Sequence, residues 1–136
     1  MPVRVNDISK HSMHSETYQI PEKTFEQLEK SKENRTPIVA VGTTSFRALE
    51  SFYGLSPQQR HLDQCLDTDL YLYPKEQPYK PHVCNGIFMN FHQPESSLLM
   101  LICSLLGKDQ TMSMYKNAIE NDYRFFSYGD ASLLWL

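Results

Sequence analysis

The sequence is short of several things at once. Its three cysteines, Cys65, Cys84 and Cys103, are widely spaced and odd in number. They form neither a disulfide framework nor a paired Cys-x-x-Cys zinc site, and they read as free thiols in a reducing compartment. No apolar run approaches the ~20 residues that span a bilayer. The longest, Leu98 to Leu106, is interrupted by Ser104 and has the length of a core helix. The first residues, Met1 to Asp7, show no basic stretch followed by an apolar one, so no signal peptide is expected and the expected location is cytoplasmic, with no membrane partner. Positive charge is not in excess: the net charge is −3 and the pI about 5.9. Proteins that coat nucleic acid draw most of their affinity from neutralising phosphates, so that class is disfavoured, although a local basic face is not. Internal repeats and low-complexity tracts are also missing.

What remains is an ordinary globular composition. The chain has 136 residues, 40% apolar and 21% charged, which suits one domain and is too apolar for disorder. Glu16 to Ile20 reads as a short strand. Pro21 suits the first turn of a helix over Glu22 to Asn34, with Phe25 and Leu28 as a narrow apolar stripe and Glu26/Lys30 as a supporting pair. Pro37 to Gly42 is a continuous apolar run that reads as a strand buried on both faces, as in parallel sheets. Thr43 or Thr44 would cap the helix that follows, marked by Phe46, Leu49, Phe52 and Tyr53. Ser56 to Asp69 reads as a loop, and Leu70 to Tyr73 and Gly86 to Asn90 as strands. Glu95 to Leu106 is a helix apolar nearly all round, capped by Glu95 or Ser96 and stopped at Gly107. Asp109 or Thr111 would cap the next helix, with Met112, Tyr115, Ala118 and Ile119 on one face. Arg124 to Phe126 and Ser132 to Leu136 read as short strands around a turn at Tyr128 to Asp130. Strand and helix alternate, so the expected class is α/β with a mostly parallel sheet. Ligands in such sheets bind beyond the carboxyl ends of the strands. Those ends offer Gly42, Thr43 and Thr44 after one strand, and Asn90, Phe91 and His92 after another.

Four segments can carry chemistry. His11-Ser12-Met13-His14-Ser15-Glu16 holds two histidines and a carboxylate. It lacks the helical HExxH spacing, and in a strand His11 and His14 face opposite sides, so no metal site is expected. Acid–base work in a pocket and a plain solvated loop both remain open. Val41 to Arg47 is a strand–glycine–hydroxyl–helix junction. Its free N–H groups, Thr43, Thr44 and Arg47 suit an anion, while the bland alternative is a capped helix. Asn90 to Ser97 clusters Asn90, His92 and Glu95 before the apolar helix, either as a polar site or simply as a cap. Tyr123 to Asp130 sets four aromatics beside Arg124, an arrangement that can stack a base or serve as core.

Five stretches, taken in order, resemble the S-adenosylmethionine:tRNA ribosyltransferase-isomerase family of queuosine biosynthesis. They are Pro2-Val3-Arg4, His11-x-Met13-His14-Ser15-Glu16, Ala40-Val41-Gly42-Thr43-Thr44-Ser45-x-Arg47-x-Leu49-Glu50-Ser51, Asn90-Phe91-His92-x-Pro94-Glu95-Ser96-x-Leu98-Leu99-Met100-Leu101, and Tyr123 to Ala131. The likeness runs over nearly the whole chain but over only about the carboxyl-terminal third of the family protein. It implies a single partial α/β domain over residues 1–136, the last portion of the family's large α/β domain, without its inserted β-barrel.

The resemblance also implies a reaction. The family moves and isomerises the ribosyl part of S-adenosylmethionine onto 7-aminomethyl-7-deazaguanine in tRNA. Epoxyqueuosine, adenine and methionine result, without a metal or a further cofactor. The reaction opens by removing a proton beside the sulfonium, which suits His92, His14 or His11 as the base. Thr43, Thr44 and Arg47 would hold the methionine carboxylate or a tRNA phosphate. Asn90 and Glu95 would hold ribose hydroxyls. Arg124, Phe126 and Tyr128 would face a base whose amine Asp130 reads. Three departures from the family pattern stand out: Met89 in place of threonine, Gln93 in place of leucine, and Lys75 after Pro74 in place of glycine. The expected partners are S-adenosylmethionine, the tRNA, and a separate amino-terminal chain if the enzyme is split. A non-catalytic nucleotide- or tRNA-binding module is the alternative. The apolar helix at Leu98 to Leu106 is expected to need cover from the portion of the family protein that this chain does not span, and self-association is expected without it.

Overall fold

Alternation along three short strands sets the architecture. The computed structural model describes Ile8 and residues 13–136. In it, β2 (Val39–Val41), β4 (Gly86–Asn90) and β5 (Ala131–Trp135) form a sheet in the order β2-β4-β5. Strands β2 and β4 are parallel, with Val39 opposite Gly86 and Val41 opposite Phe88. Strand β5 returns antiparallel, with Phe88 opposite Leu133 and Asn90 opposite Ala131. A second, two-stranded sheet pairs β1 (Glu16–Tyr18) antiparallel with β3 (Leu66–Thr68), and Thr17 Oγ1 donates to Asp67 Oδ1 across it at 2.7 Å. The α/β class therefore holds, with less parallel pairing than expected: among the described residues, one of the three strand pairs is parallel.

Successive residues of a strand point to opposite faces. On one face of the larger sheet Ala40, Ile87, Met89 and Leu134 are buried. They meet Phe46, Phe52 and Tyr53 of α2 (Thr43–Gly54) and Leu101, Ile102 and Leu105 of α3 (Ser97–Leu106) in one core. Helix α1 (Glu22–Glu33) lies outside it and touches through Phe25 and Leu28. Its ion pair joins Lys32 to Glu29 at 2.9 Å instead of Glu26 to Lys30. On the sheet's other face β2 is not buried as expected, since Val41 is 69% exposed.

Other boundaries also move. Gly42, at φ 87°, precedes α2, and neither Thr43 nor Thr44 caps it through its side chain. A Cβ at Gly42 would meet nothing within 4 Å, so the backbone angle, and not crowding, calls for glycine there. The stretch Ser56 to Asp69 includes a 3₁₀ turn (Pro57–Gln59) and β3 as well as loop. Leu70 to Tyr73 makes no strand, because side chains claim its backbone: Leu70 N donates to Thr68 Oγ1 and Leu70 O accepts from Arg47 Nε. Arg124 to Phe126 makes none either; Phe126 sits at φ 71°, which ends an extended run.

Helix α3 matches its signals closely. Ser96 Oγ accepts from Leu99 N at 3.2 Å, and Gly107 stops the helix at φ 83°. Its cover is already present: α4 (Lys108–Glu120) packs on it, and Leu101 to Leu105 are buried. Gly107 also begins α4, so neither Asp109 nor Thr111 caps; the Thr111 hydroxyl instead donates back to Gly107 O at 2.8 Å. Thr111, Met114, Tyr115 and Ala118 form the inward face of α4, while Met112 and Ile119 point outward. Among the described residues, no helix is long and apolar enough to cross a membrane.

Candidate functional site

The parallel strands β2 and β4 end side by side. Beyond β2 come Gly42, Thr43 and Thr44; beyond β4 come Phe91 and His92. Gly42 N donates to Phe88 O at 2.8 Å, which holds the two ends together. A cavity of about 350 Å³ opens there, lined by Val41, Thr43, Thr44, Asn90 and His92, with Ala131 from β5. A second, of about 260 Å³, lies on the other side of Asn90 and His92 and is walled by Gln93, Phe126 and Ser127. Asn90 and His92 thus belong to both.

His92 is held through its backbone, and its ring is half-buried. Its N–H donates to the Tyr115 hydroxyl at 2.8 Å. Tyr115 in turn packs edge-on against Phe91, with ring centroids 5.5 Å apart. The ring atom Nε2 is buried and has no hydrogen-bond partner among the described residues. Burial disfavours the charged imidazolium and pulls the His92 pKa below its ordinary value of 6.5. At neutral pH the ring is therefore a neutral imidazole, the form that a proton-abstracting base requires.

The loop Arg124 to Asp130 closes the second cavity. Asn90 Nδ2 donates to Gly129 O at 3.2 Å and so ties the loop to the end of β4. The Asp130 carboxylate accepts from the Arg124 backbone N–H at 2.7 Å and from its guanidinium at 3.2 Å. Those bonds hold the carboxyl pKa low. A Cβ at Gly129 would come within 2.5 Å of the Arg124 and Phe125 backbone, so the turn tolerates only glycine. Phe126 forms part of the cavity wall, whereas Tyr128 is 97% exposed and stands clear of it.

The other expected site residues lie elsewhere. Arg47 is buried and turned toward the small sheet: Nε donates to Leu70 O at 2.9 Å and Nη1 to Glu16 at 2.8 Å. Its Nη2 is buried without a partner among the described residues. The first turn of α2 thus sends Thr43 and Thr44 to the cavity and Arg47 away from it. Glu95 sits exposed on a turn at φ 53° and lines neither cavity. His14 is exposed, and His11 lies outside the described residues. Among the described residues, no group of three or more His, Cys, Asp and Glu side chains could hold a metal.

Two residues were not among the candidate site residues read from the sequence. Tyr115 anchors His92. Glu50 is buried, and its carboxylate accepts from the N–H groups of His82, Val83 and Cys84 and from the Tyr79 hydroxyl. It clasps the segment that leads into β4. The signal for Glu50 is a lone carboxylate one turn after Phe46 on the apolar face of α2. Tyr115 carried no signal beyond its place on a helix face.

The model of a family described as queuosine biosynthesis protein matches residues 1–134. The chain belongs to that family. It is 42% identical over 133 residues to the S-adenosylmethionine:tRNA ribosyltransferase-isomerase of Thermotoga maritima, covering 98% of this chain and 38% of the relative. It is 44% identical over 130 residues to the protein of the same name from Buchnera aphidicola subsp. Schizaphis graminum, covering 96% of this chain and 36% of the relative. The crystal structure of S-adenosylmethionine tRNA ribosyltransferase from Thermotoga maritima superposes with a TM-score of 0.77 at 42% identity, over 86% of this chain and 39% of that one. The chain thus spans well under half the length of the family members it matches. The family and the α/β class read from the sequence both stand.

Proposed function

We propose that this chain carries the His92 side of the substrate site of an S-adenosylmethionine:tRNA ribosyltransferase-isomerase, as part of a larger whole. One observation supports the reading above others: a neutral, half-buried imidazole with an unengaged Nε2 stands between two cavities at the carboxyl ends of parallel strands. That is where α/β sheets bind ligands.

Each residue takes a role from its position. His92 accepts the proton from the ribosyl carbon beside the sulfonium. The N–H groups at the start of α2, with Thr43 and Thr44, hold an anionic group of the substrate, the methionine carboxylate or a tRNA phosphate. Asn90 holds the Arg124 to Asp130 loop against the site and offers its amide oxygen to a ribose hydroxyl. Phe126 presents an aromatic wall to the tRNA base, with Tyr128 outside it. Arg124 and Asp130 brace that loop, and Arg47 braces the small sheet. The exposed aromatics on this loop also favour a second reading, a nucleotide-binding module without turnover.

The deciding experiment replaces the matched region of the Thermotoga maritima relative with this chain and measures S-adenosylmethionine-dependent adenine release. His92→Ala is expected to slow release by roughly 10²–10⁴-fold, the usual contribution of a general base. Normal release from that variant defeats the base assignment. Tight S-adenosylmethionine binding without any release from the unaltered chimera favours the binding module.

A further inference from the structure

Among the described residues, the helices that pack on the larger sheet lie on one side of it. Its other face carries Val41, Phe88, Leu133 and Trp135, all substantially exposed. Register makes them one patch: Val41 lies beside Phe88, Phe88 beside Leu133, and Trp135 across Gly86. Gly86 leaves room for the indole, since a Cβ there would stand 3.3 Å from the Trp135 ring. No charged side chain alternates into this face. Apolar patches of this kind mark interaction surfaces, and sheets with parallel pairing are normally covered on both faces.

We propose that this face is the docking surface for the portion of the family's α/β fold that this chain does not span, and that the docked portion completes the substrate cavity. Two observations name the occupant. The relatives contain far more chain than the part matched here, which supplies only 38% of the Thermotoga maritima protein. The patch also runs directly into the candidate site, because Val41 and Phe88 line the cavity that holds Thr43, Asn90 and His92. A layer laid over the patch therefore becomes that cavity's missing wall. Strand β2 is the outer strand of its sheet among the described residues, which leaves its free edge to the same layer. Position on the patch thus separates two kinds of exposed apolar residue: Leu133 is to be covered, whereas Ile119, 65% exposed on α4, is not.

The proposal rests on the family assignment and not on turnover, so its test reads accessibility. Leu133→Cys and Ile119→Cys are each placed in a Cys65→Ser background, because Cys65 is exposed while Cys84 and Cys103 are buried. Thiol labelling is followed in the chain alone and in the chimera with the rest of the Thermotoga maritima relative. In the chimera, Leu133→Cys is expected to label at least about tenfold more slowly than Ile119→Cys, with comparable rates in the isolated chain. Equal rates in the chimera overturn the proposal. Protection of Leu133→Cys in the isolated chain, together with dimer formation, overturns it in favour of a second copy. Protection in a chimera that releases no adenine leaves the docking surface standing and removes the catalytic reading instead.

Discussion

Glu50 and His92 flank the same strand and are treated in opposite ways. Just before β4, the Glu50 carboxylate meets three backbone N–H groups and a hydroxyl. Just after β4, the His92 ring keeps Nε2 without a partner among the described residues. A buried carboxylate surrounded by donors is fixed, because any movement would leave charge and N–H groups dry. A buried imidazole with a free nitrogen is a cost that packing alone gives no reason to keep. The difference separates what holds β4 in place from what β4 holds in place for a substrate.

Removing Glu50 should have the largest effect on stability. Glu50→Ala strands the N–H groups of His82, Val83 and Cys84 in the interior, at ~1–3 kcal/mol each. A loss of at least about 3 kcal/mol in urea unfolding is expected on that basis. The effect should not be selective for one substrate, since it acts on the whole sheet. A Glu50→Ala protein that unfolds like the parent would show that the carboxylate is not a clasp.

The next effect is smaller and sits on the other side of the strand. Tyr115→Phe deletes the acceptor of the His92 N–H while keeping the ring against Phe91. About 1–2 kcal/mol of stability should be lost, the cost of one buried donor left alone. Adenine release by the chimera should fall by a larger factor than binding of S-adenosylmethionine, because the imidazole loses its anchor while Thr43 and Thr44 remain. Equal losses in binding and release would make Tyr115 a packing residue only.

How much of this was legible in the sequence follows the same division. Strand β4 and helix α3 could be read because their signals are local: a short apolar run from Ile87 to Met89 after Gly86, then Ser96 and Gly107 at the helix ends. The cavity could be located because it follows from where strands end, which places Thr43, Thr44, Asn90 and His92 together. Arg47 could not be placed. Its position one turn into α2 is visible, but its direction depends on Glu16 and Leu70, which are distant in sequence and near in space. Glu50 and Tyr115 share that difficulty, since each acts on a segment 23 to 34 residues away whose path is not written locally. The bare sheet face was hidden for a related reason. Pro37 to Gly42 reads as a strand covered on both sides, because a continuous apolar run does not say which face is left bare, and Val41 is exposed.

The smallest effect concerns protons and tests the contrast at His92 alone. Burial lowers its pKa in the folded state below the ordinary 6.5. The folded protein then binds a proton there less readily than the unfolded chain does. This contribution to stability is fully present above the unfolded pKa and is lost as pH falls through the folded value. Urea unfolding between about pH 5 and 7 should therefore show stability rising with pH, and His92→Gln should flatten part of that rise while leaving the slope above pH 7 alone. Activity should respond in the same direction, because the protonated ring has no lone pair with which to accept the substrate proton. If His92→Gln leaves the acid limb of stability unchanged, the ring is not titrating in a buried setting, and the opposition between a saturated Glu50 and an unpartnered His92 loses its second half.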